Sequence, residues 1–462
     1  MKINHKALQK LKNKNFNKII INPSIFKSYD IRGIYPDEIN EKNIFLIGKA
    51  FVKYTKAKKI AICYDTRISS PSLFKSLIKG ITEQGSNVYF IGQLPTECLY
   101  FAVGNYDFDA GIMITASHNP KEYNGLKTLI KKENEIIWIR GKDLFLTVKN
   151  GNFRNKKNGK IYQKDIIKDY LKYIFSFNKE KIKPFKIAID ASSGVAGKII
   201  SLIKKKLDIK IIKLNFKPDG NFKNHSPNPL EKGSSDQISQ IIKEQKLDFG
   251  IMFDGDADRI FLIDEKGNMV SADIVLLFLA KYFLEKKPGS VIAYNAICSK
   301  VVPEFIKKWG GIPIRTAVGF VNVREGLIKN NGIMGGELSA HYSFKDYFCT
   351  DSGMIAFLIL LQIISKENKL VSKMVKEFSL YFKSAEINLK IQDKEKIFEK
   401  TKEKYFDGKQ DFLDGITVEY KDWWFNLRLS NTEPLLRVTI EANSKELLEK
   451  KKKELIEFIN AL

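Results

Sequence analysis

The sequence predicts an α/β protein of several domains, and three observations carry that prediction. Short β-rich runs alternate with helical patterns along the chain. A strand ending in a polar loop recurs three times. At about 150 residues per domain, the 462 residues correspond to roughly three domains. The recurring units are Lys59–Tyr64 with the loop Asp65–Pro71, Phe185–Ile189 with Asp190–Gly194, and Ser290–Tyr294 with Asn295–Ser299. Their repetition reads as one α/β domain used more than once. Polar, turn-rich segments set the boundaries. Lys149–Gly159 is a linker, followed by a helix whose apolar positions Ile166, Ile167, Tyr170, Leu171, Ile174 and Phe175 keep a 3.6 period. A second break falls near Lys266–Asn268, and Ile274–Phe283, apolar nearly all round, reads as a buried helix. A third falls at Ser365–Lys369, before a smaller C-terminal unit closed by a helix that begins near Ser444. The expected domains are 1–158, 159–266, 267–368 and 369–462.

Composition narrows the function classes. With 44% hydrophobic and 28% charged residues the chain can bury a sizeable core, which excludes a disordered chain, a collagen and a disulfide-stapled miniprotein. The longest apolar stretch, Met354–Ile364, falls well short of the ~20 residues of a membrane span. Met1–Lys18 has no apolar segment of the secretory kind, so a cytoplasmic protein is expected, with no membrane partner. The net charge of +25 is spread along the whole chain, whereas a nucleic-acid binder would concentrate it in one stripe with aromatics. No nucleic-acid partner is expected; a general attraction for small anionic substrates is. Cys63, Cys98, Cys298 and Cys349 show no C-x-x-C pairing, and four reduced thiols are expected.

Four loops carry chemistry. Strand Gly111–Ile114 delivers Ser117 to the loop Thr115–Pro120, beside His118 and Asn119, with Lys127 ten residues on. A serine becomes a useful nucleophile only with a base nearby and cationic donors for the group it attacks. After the apolar strand Phe249–Phe253, Asp254, Asp256 and Asp258 alternate, followed by Arg259. Two carboxylates ~4 Å apart repel by about 4 kcal/mol at an effective dielectric near 20, so such a cluster persists best around a hard divalent cation, and Mg²⁺ suits it. An EF-hand loop also aligns, with Glu265 at its twelfth position, but Arg259 stands where that loop needs glycine, and Ile260–Ile263 reads as a strand. Nucleophilic attack by Asp254 itself, through Asp-x-Asp, is an alternative that stays open. In the third loop Glu337, Ser339 and His341 alternate along what reads as an extended segment, so all three face one side. A carboxylate with a hydroxyl holds sugar hydroxyls, and His341 offers a proton. The fourth loop, Arg428–Pro434 with Arg437 after it, supplies forked donors, hydroxyls and backbone N–H groups, a phosphate cradle. Singly, each loop also reads as an ordinary turn. Together they describe phosphoryl transfer on a phosphosugar.

The sequence resembles the α-D-phosphohexomutase family, and its bacterial phosphomannomutase/phosphoglucomutase branch most. The matching segments are Phe26–Gly33, Thr115–Pro120, Tyr123–Gly125 with Lys127, Asp254–Arg259, Gly336–His341 and Arg428–Pro434, in the family's order from about Ile20 to the C-terminus. A phosphoglucosamine mutase would more typically show Gln-Ser-Gly where this chain has Leu338-Ser339-Ala340. The resemblance implies three similar mixed-sheet α/β domains plus a smaller α+β C-terminal domain around a central cleft. It implies a phosphorylated Ser117, with Mg²⁺ held by that group and by Asp254, Asp256 and Asp258. Arg32, His118, Lys127 and Arg259 match positions that assist transfer or contact substrate, and His341 is a candidate acid/base. Glu337 and Ser339 match the clamp on sugar O3 and O4; Arg428, Ser430, Asn431, Thr432 and Arg437 match the surroundings of the non-reacting phosphate.

The implied reaction moves a phosphoryl group from Ser117 to a hexose 1- or 6-phosphate. The bound 1,6-bisphosphate then turns around and returns its other phosphate, so a trace of hexose 1,6-bisphosphate is expected to activate. A mannose substrate is favoured over glucose because Leu338–His341, with Tyr342–Phe344 and Cys349–Met354, resembles bacterial phosphomannomutases; a glucose-specific or dual-specificity mutase and a non-catalytic phosphosugar-binding protein are the alternatives. A monomer or weak homo-oligomer is expected. The third domain departs from the pattern. The usual Gly-His is Gly319-Phe320, the usual Lys four residues after that His is Arg324, and a further basic position is Ile297. Arg324 is still expected at the substrate, and the losses bear on affinity and preference.

Overall fold

A computed structural model describes residues 21–133, 135–153, 156–390, 393–429 and 435–462. The segment Met1–Lys18 and the turn residues Ser430, Asn431 and Thr432 lie outside them. Three α/β sheets follow one another, and each contains the same four-strand arrangement. In the first, Asn87–Gln93, Lys59–Tyr64 and Ala110–Ile114 run parallel, and Tyr123–Lys132 returns antiparallel beside the last. In the second the corresponding strands are Lys210–Leu214, Lys186–Asp190, Phe249–Phe253 and Ile260–Ile263. In the third they are Ile312–Thr316, Val291–Asn295, Met334–Gly336 and Tyr342–Phe344. The three recurring strand-and-loop units of the sequence are thus the first strand of each repeat. The fourth domain is an antiparallel sheet, with Leu435–Ala442 and Trp423–Leu429 at its centre and the helix Lys445–Asn460 packed on it. Ser444 caps that helix by accepting from the Leu447 amide.

Two expected boundaries move. Ile161–Gln163, beyond residue 158, pairs in parallel with Val88–Phe90 and extends the first sheet, because the edge of Asn87–Gln93 is open to it. The helix Val371–Lys376, beyond residue 368, belongs by packing to the third domain. Met374 and Phe378 are buried, and the Phe378 ring lies 4.8 Å from Phe305 and 5.8 Å from Phe278. The fourth sheet begins at Phe382.

The first three domains share one continuous apolar core; the first domain has a second core around Ile44, Ile60, Leu77 and Ile112, and the fourth has its own. At the centre of the shared core is the helix Gly353–Glu367, buried on every face from Gly353 to Ser365. At about 1.5–3 kcal/mol for each large apolar side chain buried, this apolar run is an inter-domain anchor. Among the described residues no helix is long and apolar enough to cross a membrane. The fourth domain is held by polar contacts instead: Lys383 to Asp273 at 3.0 Å, Lys300 to Glu419 at 2.8 Å, Arg315 to Asp411 at 3.1 Å, and the Val318 amide to Asp414 at 2.8 Å.

A buried carboxylate joins the first and third domains. Glu97, in the helix Thr96–Asn105, accepts from the Ser352 hydroxyl and, at 3.2 Å, from the Met354 amide. Burial pushes its pKa up to about 8 against those hydrogen bonds. The folded protein therefore keeps a proton that the unfolded chain, with an ordinary value of 4.5, has already lost. This contribution to stability is complete below the unfolded value and is lost as pH rises towards the folded one. Glu97→Gln is expected to flatten the fall in urea midpoint between about pH 5 and pH 8; a variant with the wild-type slope would show that another group sets it.

Candidate active site

Three of the four sequence-predicted loops occupy the same place in their repeats. Each leaves the carboxyl end of the third strand, where a parallel neighbour gives way to an antiparallel one: Ile114 leads to Ser117, Phe253 to Asp254, and Gly336 to Glu337. Loops at the carboxyl ends of parallel strands are where α/β sheets place ligand groups. Each loop holds one non-glycine residue in the left-handed region, Ser117 at φ 50°, Ala257 at 62° and Ala340 at 68°, the kind of local strain that clusters at functional sites.

The loops meet through their side chains. Ser117 Oγ donates to Asp254 Oδ2 at 2.8 Å, and His118 Nδ1 lies 3.3 Å from the same hydroxyl. Lys127, on the fourth strand of the first sheet, donates from Nζ to Asp256 Oδ2 at 2.7 Å and to Asp258 Oδ2 at 2.5 Å. Gly125, two residues earlier, has no substitute there, since a Cβ would stand 2.1 Å from the Ile31 carbonyl oxygen. Across that contact lies Arg32, which donates to Asn119 Oδ1 and pairs with Asp30. Arg259 links the second loop to the third, with Nε 3.7 Å from Asp254 and 3.2 Å from His341 Nε2.

Crowding three buried carboxylates polarises the site. Burial, then Asp256 and Asp258, push Asp254 up to about 7 against Arg259 and Lys127. Burial also raises Asp258, but Lys127 and His341 outweigh it and hold that carboxyl well below its usual range. The ligand atoms of the trio lie within 4.8 Å of one another. Asp256 Oδ1 is buried without a hydrogen-bond partner among the described residues, and Asp258 Oδ1 has only the longer 3.4 Å ion pair with His341 Nε2. Three converging buried aspartates, one of them with an oxygen that has no protein partner among the described residues, fit a hard divalent cation. His118 is held well below its ordinary value by burial, then Arg259 and Arg32, so it stands neutral beside Ser117.

The third loop brings its predicted residues together, but by another route. It is a turn, not an extended segment: Ala340 N donates to the Glu337 carbonyl and Glu337 N to the His341 carbonyl, both at 3.0 Å. The turn gathers Ser339 Oγ, His341 Nδ1 and Glu337 Oε2 within 3.1 Å of one another. Glu337 Oε1 accepts the Gly319 amide at 2.7 Å. Burial and Arg259 lower the His341 pKa, while Asp258 and Glu337 outweigh them and raise it to about 10.

Arg324 has its contacts outside this cluster of loops. It was expected at the substrate, yet it donates to the Ile136 carbonyl and lies over the Trp138 ring, 4.8 Å from its centroid. One helical turn beyond Phe320, it is drawn to the first domain's strand Glu135–Trp138 and lines a separate cavity of about 550 Å³ with Glu135, Tyr173, Lys345 and Cys349. Phe320 packs against His341 at 5.8 Å, Tyr29 at 5.9 Å and Trp138 at 5.7 Å, and Ile297 is buried. In the fourth domain Arg428 and Arg437 face each other across neighbouring strands, and Glu386 pairs with both, at 2.6 and 3.1 Å. Glu386 and the fully enclosed Arg67, which clasps the backbone of the serine loop, carried no signal in the sequence beyond being charged.

The fold and the converging loops define a multidomain α/β protein fitted for phosphoryl chemistry. Four family descriptions match in order: phosphoglucomutase/phosphomannomutase alpha/beta/alpha domain I over residues 23–137, domain II over 162–267, domain III over 271–381, and the C-terminal domain over 386–458. The chain belongs to the phosphoglucomutase/phosphomannomutase family. It is 37% identical over 444 residues to a phosphomannomutase of Methanocaldococcus jannaschii, covering 95% of this chain and 98% of that one. To the phosphomannomutase of Escherichia coli K12 it is 34% identical, covering 94% and 98%. Among solved structures, a phosphoglucomutase/phosphomannomutase family protein of Burkholderia thailandensis superposes with a TM-score of 0.87 at 28% identity, over 96% of this chain and 98% of that one.

Proposed function

We propose that the protein interconverts mannose 6-phosphate and mannose 1-phosphate, through a phosphoserine at Ser117 and a hexose 1,6-bisphosphate that also serves as activator. The observation that carries this reading is the 2.8 Å contact of Ser117 Oγ with Asp254, at the point where three repeated loops converge. The phosphomannomutase names of its relatives support the choice of sugar. Mg²⁺, held by Asp254, Asp256, Asp258 and the group on Ser117, would supply charge neutralisation to the transferring phosphoryl oxygens.

The chain's own residues do the rest. Lys127, Arg32 and Arg259 add fixed positive charge around Ser117, where transferring oxygens accumulate negative charge. Glu337 and Ser339 grip the sugar hydroxyls, and Arg428 and Arg437, with Ser430, Asn431 and Thr432, hold the phosphate that is not reacting. In the first half-reaction the bond between phosphorus and the Ser117 oxygen breaks as a bond to a sugar oxygen forms, and the Ser117 oxygen takes up a proton; in the second the other sugar oxygen's bond to phosphorus breaks as the bond to Ser117 re-forms and that proton leaves. The proton of the attacking sugar hydroxyl passes to a base, for which the ionised Glu337 is placed with the protonated His341 as its acid partner 3.1 Å away, and a proton returns to the departing sugar oxygen when the turned-around intermediate rephosphorylates Ser117.

Glucose and mannose differ only at C2, which a clamp on O3 and O4 does not read. The test is a coupled assay with Mg²⁺ and bisphosphate activator, comparing kcat/KM for mannose 1-phosphate and glucose 1-phosphate. Higher kcat/KM for mannose 1-phosphate, abolished by chelation, is expected; a preference for glucose 1-phosphate would make the protein a phosphoglucomutase, and no turnover on either a phosphosugar-binding protein. Phe320→His, which returns a ring donor beside His341, is expected to lower KM for the preferred sugar phosphate by about 2–10-fold, the worth of one hydrogen bond. An unchanged or raised KM would show that the aromatic cluster with Tyr29 and Trp138 keeps that position away from the sugar.

A further inference from the structure

We propose that Thr96 is a positioning residue of the cation site, the group that selects which oxygen of Asp256 faces the ion. The inference rests on the reading that the three aspartates hold a divalent cation. Thr96 opens the helix Thr96–Asn105 of the first domain and is fully buried. Its hydroxyl donates to Asp256 Oδ2 at 2.6 Å, and its backbone amide donates to the Asp256 carbonyl at 3.0 Å. One first-domain residue therefore holds both the side chain and the main chain of a second-domain aspartate.

The consequence lies in how the carboxylate is divided. Asp256 Oδ2 receives two donors, Thr96 and Lys127, while Oδ1 is buried with no partner among the described residues. A carboxylate whose one oxygen is saturated presents only the other to an ion, and a cation that demands near-ideal octahedral geometry rewards such monodentate presentation. Lys127 cannot fix the carboxylate plane alone, because its ammonium also serves Asp258 and its stem is flexible. Thr96 is rigid by comparison. Its side chain is β-branched, and the next residue, Glu97, ties the same helix turn to Ser352 and Met354 of the third domain. Groups that orient metal ligands in this way typically change metal affinity by 10–100-fold when removed.

The experiment uses the full-length protein, dephosphorylated and metal-free, titrated calorimetrically with Mg²⁺ and with Mn²⁺. Thr96→Val keeps the shape and removes the hydroxyl; Asp256 Oδ2 retains Lys127, so folding is expected to survive, and circular dichroism at the titration temperature checks it. Thr96→Val is expected to weaken cation binding about tenfold and to raise the Mg²⁺ concentration for half-maximal turnover by the same factor. Thr96→Ser is expected to recover most of the loss, and Thr96→Ala to repeat it. Wild-type affinity in both Val and Ala variants would overturn the proposal, as would failure of Ser to rescue. A wild-type protein that binds neither cation would overturn the cation site itself and the proposal with it.

Discussion

Ser117→Ala is expected to abolish turnover, by at least about 10⁴-fold, and to leave a protein that takes no phosphoryl group from hexose 1,6-bisphosphate. The hydroxyl stands at the one point where a group on it faces Asp254 on one side and His118 on the other. Neither neighbour can replace it. Asp254 belongs to the aspartate trio proposed to hold the cation, and the resemblance of Asp-x-Asp to aspartyl-phosphate motifs loses its force once a serine donates directly to that carboxylate. The substitution removes one buried oxygen from a residue in the left-handed region, where alanine is tolerated at about 1–2 kcal/mol, so the fold is expected to persist. Intact mass after incubation with the bisphosphate, together with the coupled assay, decides it. Turnover within tenfold of wild type would remove Ser117 from the chemistry.

The second large effect is structural and comes from Arg67. Its guanidinium is 1% exposed and donates to Asp65 Oδ2 and to the carbonyls of Ser117, Asn119, Pro120 and Tyr123, at 2.6–3.1 Å. All four carbonyls belong to the loop that carries Ser117 and to the turn after it. Arg67→Met would leave them without that donor, at about 1–3 kcal/mol for each buried orphan, and would leave Asp65 buried without its cation, which typically destabilises by about 3–5 kcal/mol. These contributions are not additive, but a loss of at least about 5 kcal/mol is expected, seen as a large drop in urea midpoint with activity lost. Arg67→Lys is expected to recover little, because a compact ammonium with three donors cannot span a planar fork of five. A wild-type midpoint for Arg67→Met would mean that the serine loop holds its shape without the clasp.

The sequence made visible what depends on local chemistry. Apolar runs that end in polar loops mark the strands, and residue types confined to a few spacings mark Ser117, the aspartates and Glu337 to His341. It concealed what depends on distant partners. Thr96 meets Asp256 across 160 positions, Arg67 meets Ser117 across 50, and Arg428 meets Glu386 across 42. Nothing about a threonine at a helix start or an arginine in a loop foretells such partners. Arg324 shows the same dependence: its spacing from Phe320 matches the family's lysine, while its contacts with Ile136 and Trp138 lie in the first domain. The period of two across Glu337, Ser339 and His341 led to the right cluster through the wrong geometry, since a tight turn also gathers alternate residues.

The central claim is that Ser117 gives and receives the phosphoryl group. The direct measurement is phosphopeptide mapping of the full-length protein after incubation with labelled hexose 1,6-bisphosphate and Mg²⁺. An acid-stable label on the peptide bearing Ser117, discharged by unlabelled hexose phosphate, is the predicted result; an acid-labile label on the peptide bearing Asp254, or no label at all, would contradict the account.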